Sequence, residues 1–374
     1  NFPDEMLKTK RQEDTKAATC FDGNVVYDEC GRKCQCKNGN LVKCCRIRKE
    51  FTSMTHEERV RYINTVLKAS NDSAFKTEYE DLLLRHKKVF HKGIHSRGKV
   101  FLPWHLWYIL QYEDLLRRVD CKVTVPYWDW SAVAVNPWSN SMWNKGNDGF
   151  GGDGDPNADY CVKTGPFRDP VWSYPSYPAN TTTCLTRSFS KKKPLRPVVP
   201  GTENVDTLMA LEASDMTEFE KTLRLVLHAP VHCAIGAWST MCGKSSAYAP
   251  EFFLHHGFVD KLWWDWQSKG DEYMYHKFFN DQTEQMIGTD YYPREFLNLH
   301  KMPAGDAGDV CAAYKGKIVW NFKATWQTEF LPLPPISMSA IKLFDVKPED
   351  AIRIRENFEG RIAARRKSQF KTSP

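Results

Sequence analysis

No stretch of this 374-residue sequence is both long and apolar enough to cross a membrane, and nothing near its start resembles a hydrophobic leader. A membrane span is therefore not expected, and a chain that begins at Asn1 reads as processed and secreted. An excess of one charge is also missing: 52 Lys and Arg face 46 Asp and Glu, for a formal net charge of +6. Seven basic and two acidic side chains lie between Arg353 and Pro374, so the tail carries most of that excess. A nearly neutral body argues against a nucleic-acid groove. The tail reads as a solvated basic helix, and it and the N-terminus are the candidate surfaces for a matrix partner. Internal repeats are absent, which argues against a chain of repeated carrier units.

Histidine is scarce outside two short windows. Of eleven, only His56, His276 and His300 fall elsewhere; the rest lie between His86 and His105 or between His228 and His256. In the first window, Phe75, Tyr79, Leu82, His86 and Phe90 recur at helical spacing, so His86 points into a core. Pro103 suits the first turn of a second helix, whose stripe runs from His105 through Tyr108, Tyr112, Leu115 and Val119. His95 falls between them in a glycine-bounded loop, with His91 as its neighbour. In the second window, His228 and His232 are four apart across Pro230, which should distort the turn. After Pro250, Phe252, His256, Val259, Trp263 and Trp266 form one apolar stripe, which turns His256 inward and His255 about 100° away. Asp260 is placed to orient a histidine. Upstream, Thr217 and Glu220 form a capping-box signature for the helix leading to His228.

One inward histidine is ordinarily a hydrogen-bonded core residue. Two sets of three would leave many imidazole nitrogens unsatisfied in a dry interior, a cost that a pair of metals removes. Several neutral imidazoles with few carboxylates or thiols beside them suit zinc, copper, iron or nickel.

The twelve cysteines and two glycosylation sequons, at Asn71 and Asn180, fit an extracellular, disulfide-bonded protein. Six cysteines, Cys20 to Cys45, crowd one end and predict a small disulfide module over residues 1–47, loosely similar to part of a von Willebrand type C domain or an EGF-like fold. Residues 136–200 are loop-rich and depend on Cys161 and Cys184 for order. Val310 to Trp326 could supply strands. Leu331 to Pro335 is a break, and Pro348 to Arg366 reads as a basic helix.

The segments FLPWH with YILQYE, PYWDWS, FGGDGDP, GPF, CLTRSF, the His228/His232 pair and FFLHHGFVDKLWWDWQ appear in that order. Together they resemble the type 3 copper proteins: tyrosinases, catechol oxidases and molluscan haemocyanin units, and most of all a secreted animal tyrosinase. The resemblance implies a mainly α fold, with a central antiparallel four-helix bundle around a dinuclear site, long loops and a few short strands. It spans roughly Arg48 to Gln267, within a domain over 48–335 that is followed by a basic, partly helical extension over 336–374. It places one copper ion on His86, His95 and His105 and a second on His228, His232 and His256, with Asp260, His255 and Phe252 around them. Zinc is the alternative metal.

The implied reaction is oxidation of ortho-diphenols to ortho-quinones by dioxygen, with hydroxylation of monophenols or of protein tyrosyl groups as an extension. The partners are then a phenolic small molecule, or a protein bearing tyrosyl or DOPA groups, and dioxygen. A metal-binding homologue without oxidase activity, and an oxygen carrier, are the other readings. Ala229 stands where many tyrosinases have Asn or Asp to hold a water, which leaves Glu218 and Glu220 as candidate water-orienting carboxylates, although on a helix they also read as solvated charges. Gly93 takes the place of a cysteine that some members link to the histidine equivalent to His95. The ten-residue step from His95 to His105 is one longer than usual and demands a bulge or a shift.

Overall fold

The computed structural model describes residues 20–176, 181–190, 198–274, 277–280, 283–304, 308–316 and 332–371. The sequon at Asn180 and most of the expected strand region up to Trp326 lie outside these residues, while Asn71 is exposed at a helix end.

Helix α1 (His56–Asn71) starts where Thr55 and Glu58 satisfy each other's backbone N–H groups, the reciprocal pattern that fixes a first turn. Helices α2 (Lys76–Val89) and α3 (Gly98–Val119) follow, joined by a widened π-type turn over Phe90–Ile94. Gly93 makes that turn possible: its φ of +104° is open to glycine and strained for other residues. Pro103 is not in the first turn as expected; α3 begins five residues before it. So close to the helix start, the ring removes one backbone bond, and the helix continues through it.

After α4 (Thr202–Met209), helix α5 (Met216–Thr222) passes into a second π-type turn, Leu223–His228, and then into α6 (Ala229–Ala234). Pro230 lacks an N–H, and its ring would collide with a carbonyl of a regular α turn, so the widened turn before it has a physical cause. Thr217 lies inside α5 and caps nothing; the cap position is Asp215. Helix α7 (Glu251–Gln267) is buried along almost its entire length. Its start is held by Arg187, whose Nε and Nη2 donate to the two Glu251 oxygens at 2.8 and 2.9 Å, both side chains fully buried. Short helices α8 (Asp271–Met274) and α9 (Lys277–Asn280) follow. Helices α2, α3, α5 to α6 and α7 form the bundle, and the protein is mainly α with few short strands, as expected.

Strands β1 (Val25–Tyr27), β2 (Lys33–Lys37) and β3 (Asn40–Arg48) are antiparallel neighbours. Two small hairpins, β4 (Gly154–Asp155) with β5 (Cys161–Val162) and β6 (Tyr174–Ser176) with β7 (Thr181–Thr183), brace the long loops. Strands β8 (Met302–Ala304) and β9 (Gly308–Tyr314) complete the larger sheet in the order β1-β2-β3-β9-β8, with β3 and β9 parallel. The cysteine-rich end is thus built into the body. Cys20–Cys36 and Cys34–Cys44 close within it, but Cys30–Cys121 and Cys45–Cys311 cross to the rest of the chain. Cys161–Cys184 and Cys233–Cys242 complete six bridges, with no free cysteine.

The C-terminal extension forms α10 (Met338–Leu343) and α11 (Pro348–Lys371). Its arginines are engaged rather than simply solvated. Arg366 pairs with Glu203, Arg361 with Glu218, and Arg365 donates to the Asp206 carbonyl, so α11 is strapped to α4 and α5.

Candidate metal centre

His86 comes from α2, His95 from the end of the first π-type turn and His105 from α3; their candidate ligand nitrogens lie within 4.8 Å of one another. His228, His232, His255 and His256 make a second such group. The two groups face each other: the His105 and His256 rings are stacked 4.3 Å apart, and Phe252 packs on both His256 and His86. All seven histidines are buried.

Backbone carbonyls fix four of these rings. His95 Nδ1 meets the Phe90 oxygen, His105 Nδ1 the Phe101 oxygen, His228 Nδ1 the Arg224 oxygen and His232 Nδ1 the Met241 oxygen, at 2.7 to 3.3 Å. A carbonyl only accepts, so each Nδ1 carries the proton and each Nε2 presents a lone pair. Among the described residues, Nε2 of His95 and His105 has no partner, and His86, His255 and His256 have none on either nitrogen. His228 Nε2 and His232 Nε2 lie 2.9 Å apart. Two bare lone pairs at that distance repel unless a cation lies between them.

A proton is an unfavourable candidate for that cation. Burial, together with neighbouring imidazoles, holds His86, His95, His228, His255 and His256 well below the ordinary histidine value. Burial lowers His105 to about 3 and His232 to about 4 despite their carbonyl bonds. The donor set therefore consists of neutral imidazoles, which fit soft or borderline metal ions.

Of the expected surrounding residues, Phe252 and His255 lie against the cluster, whereas Asp260 is committed elsewhere. His255 turns away from His256 as expected but stays in the cluster, 4.7 Å from the His232 ring and 5.1 Å from that of His228. Because α7 is buried on nearly every side, a 100° rotation leads to another buried neighbour rather than to water. Asp260 does not orient a histidine. Its carboxylate accepts from Arg48 Nη1 at 3.1 Å and from the Tyr314 hydroxyl, within a buried network where Arg48 also binds Glu113 at 3.0 Å. Burial pushes Asp260 up to about 6 in spite of Arg48. The pairing ties α7 to β3 and, through Glu113, to α3, the two helices that carry His256 and His105.

Neither glutamate reads as expected. Glu218 reaches Arg361 of α11 and not the cluster. Glu220 is buried rather than solvated, and is ion-paired to Arg224, whose Nη1 donates to the His95 carbonyl at 3.0 Å. Glu220 lies so close to the loop that a Cβ at Gly98 would fall 2.3 Å from it. Arg224 thus joins the two halves: its side chain holds the His95 loop, and its carbonyl holds His228. His91 is exposed and outside both groups.

Phe344 escaped the sequence reading. It lies at the end of α10 with its ring 5.0, 5.3 and 5.2 Å from those of His95, His228 and His232, in an apolar cluster with Phe90, Ala229, Cys233 and Ala340. Val346 N–H returns to the Ile341 carbonyl around Asp345 at φ +52°, a Schellman-type helix end that sets the ring over the histidines.

Residues 45–269 match the common central domain of tyrosinase. The chain belongs to the tyrosinase family. A tyrosinase of Streptomyces glaucescens is 32% identical over 235 residues, covering 60% of this chain and 83% of that protein. Tyrosinase ustQ of Aspergillus flavus is 29% identical over 244 residues, and the match spans 60% of this chain and only 65% of that relative. In fold, a polyphenol oxidase variant from Thermothelomyces thermophila covers 73% of this chain and 89% of its own at 18% identity, with a TM-score of 0.52. Tyrosinase membership implies a dinuclear copper centre and chemistry on phenols with dioxygen; zinc finds no support among these relatives. Six disulfides fit an extracellular setting, and no helix among the described residues is long and apolar enough to cross a membrane.

Proposed function

We propose that this tyrosinase-family chain is a secreted oxidase that converts ortho-diphenols to ortho-quinones. One copper would be held by His86, His95 and His105, and the second by His228, His232 and His256, with His255 and Phe252 as close neighbours. The observation that carries this reading is the pair of facing Nε2 lone pairs on His228 and His232, 2.9 Å apart among buried neutral imidazoles. When bound, the two coppers would take two electrons from each diphenol and pass four to dioxygen, which leaves as water.

The chain's own groups set what that centre can accept. Carbonyls of Phe90, Phe101, Arg224 and Met241 hold the tautomers that aim Nε2 inward. Phe344 occupies the space where a phenol ring would stack on His95, His228 and His232, so substrate entry requires α10 to move or its ring to rotate. Glu220 is committed to Arg224, and Ala229 offers no side chain to a water. Neither favours taking the proton of a monophenol, so diphenols are the preferred class. The chain divides into a cysteine-rich part (1–47), a copper domain (48–335) and a C-terminal extension (336–374).

The test is oxidation of a soluble catechol by copper-loaded protein, followed as quinone absorbance and oxygen uptake. Quinone formation that is lost in His228→Ala supports the reading. Copper binding without oxygen uptake, even after removal of the Phe344 ring, overturns it.

A further inference from the structure

Away from the histidines, a groove of about 1400 Å³ opens between the N-terminal sheet, the start of α1 and residues 122–126. None of the seven clustered histidines lines it, nor does Phe344. The strand register explains its floor. Tyr27, Lys33, Cys45 and Cys311 lie opposite one another across four strands, so their side chains share one face, with Ile47 and Ala313 paired further along. Cys45–Cys311 and Cys30–Cys121 crosslink this floor and its wall, so the groove is preformed.

Its chemistry is uneven. Apart from Lys33 and Gln35 at its edge, the floor is apolar, with Val25 54% and Tyr27 66% exposed and Ile47, Met54 and Val123 beside them. The rim carries Lys33, Lys43, Lys49, Arg61, Lys122 and Lys315 against two carboxylates, Glu57 and Glu58. Glu58 is taken by Lys49. Among the described residues, Lys33, Lys43, Lys122 and Lys315 are exposed and make no ion pair. An apolar centre inside a charged rim is the anatomy of a protein-binding patch.

We infer that this groove is a docking site for an acidic peptide segment that carries apolar side chains. Its carboxylates would meet the four lysines while its apolar groups cover Tyr27, Val25 and Ile47. A sulfated sugar chain would satisfy the lysines but has no side chain for the floor.

The test uses the full chain and a fluorescent peptide of alternating Glu and Leu, which a phenol oxidase cannot oxidise. The peptide should bind, its Gln/Leu counterpart should bind about tenfold more weakly, and raised salt should weaken the complex. Replacing Lys33, Lys43, Lys122 and Lys315 with Gln should cost about tenfold in affinity, with unfolding temperature and metal content unchanged. Tyr27→Ala should weaken binding independently of salt. In the free protein these lysines should acylate readily and be protected by the peptide. Tighter binding of a heparin oligosaccharide of equal charge, lysines already protected in the free chain by its own segments, or peptide affinity indifferent to the lysine changes would each overturn the inference.

Discussion

His105 and His256 lie face to face on different helices, with ring centres 4.3 Å apart and planes within 4° of parallel. Each belongs to a different histidine group, so this stack is where the two halves of the centre meet. His86→Ala and His256→Ala should each lower bound copper from two per chain to one or none, as measured by elemental analysis of purified protein. Two coppers retained in either variant would place the ligands elsewhere. Stripping the metal should also lower the unfolding temperature, since a ligand present at about 1,000 times its Kd stabilises by about 4 kcal/mol.

Removing Phe344 separates access from chemistry. Phe344→Ala should cost about 3 kcal/mol of stability through lost packing. It should nonetheless raise kcat/KM for catechol by about tenfold, the equivalent of ~1.4 kcal/mol in the barrier. An unchanged kcat/KM would show that this ring does not limit entry.

The buried histidines set a pH window. Their folded pKa values are depressed, to about 3 for His105 and about 4 for His232. The unfolded chain therefore takes up protons first as pH falls. Stability is fully present above about 6.5 and is lost as pH falls toward those values, by up to about 1.4 kcal/mol per pH unit for each such histidine. Metal-free protein scanned by thermal unfolding from pH 8 to pH 4 should show this decline; a flat profile would mean that the imidazoles are not buried and neutral.

These histidines were readable because helical periodicity reports which way a side chain points. His86 and His256 sit on apolar stripes, and both are buried in the structure. Periodicity alone turns His255 away from His256 without saying where it leads; because α7 has almost no wet side, it leads to His228 and His232. Phe344 had no periodic signal: it ends a helix of six residues, and the histidines it covers are all distant in sequence. Charge composition could not separate a solvated tail from one whose Arg361 and Arg366 have carboxylates waiting on α4 and α5. Cysteine spacing suggested a closed module, but twelve cysteines allow many pairings, and only the fold brings Cys45 beside Cys311.

Arg224 joins the His95 loop to His228, so its loss should be felt at both. Arg224→Ala leaves Glu220 buried without its ion-pair partner, at a cost of about 3 kcal/mol. Copper affinity should fall with it, and Glu220→Gln in the same chain should recover stability more than copper affinity. Equal recovery of both, measured by unfolding and copper titration, would reduce Arg224 to a partner for Glu220.

Under the proposed function, Ala229 contributes to the preference for diphenols. Ala229→Asn should raise monophenol hydroxylation relative to catechol oxidation, read as the ratio of initial rates on tyramine and dopamine. An unchanged ratio would show that proton removal does not limit hydroxylation here.

The most direct test combines copper content with turnover in a single preparation of the full chain, with Phe344→Ala alongside. The account predicts two coppers per chain, oxygen uptake and quinone formation from catechol, with faster turnover in the variant. Fewer than two coppers after loading, or two coppers with no catechol oxidation in either protein, would contradict it.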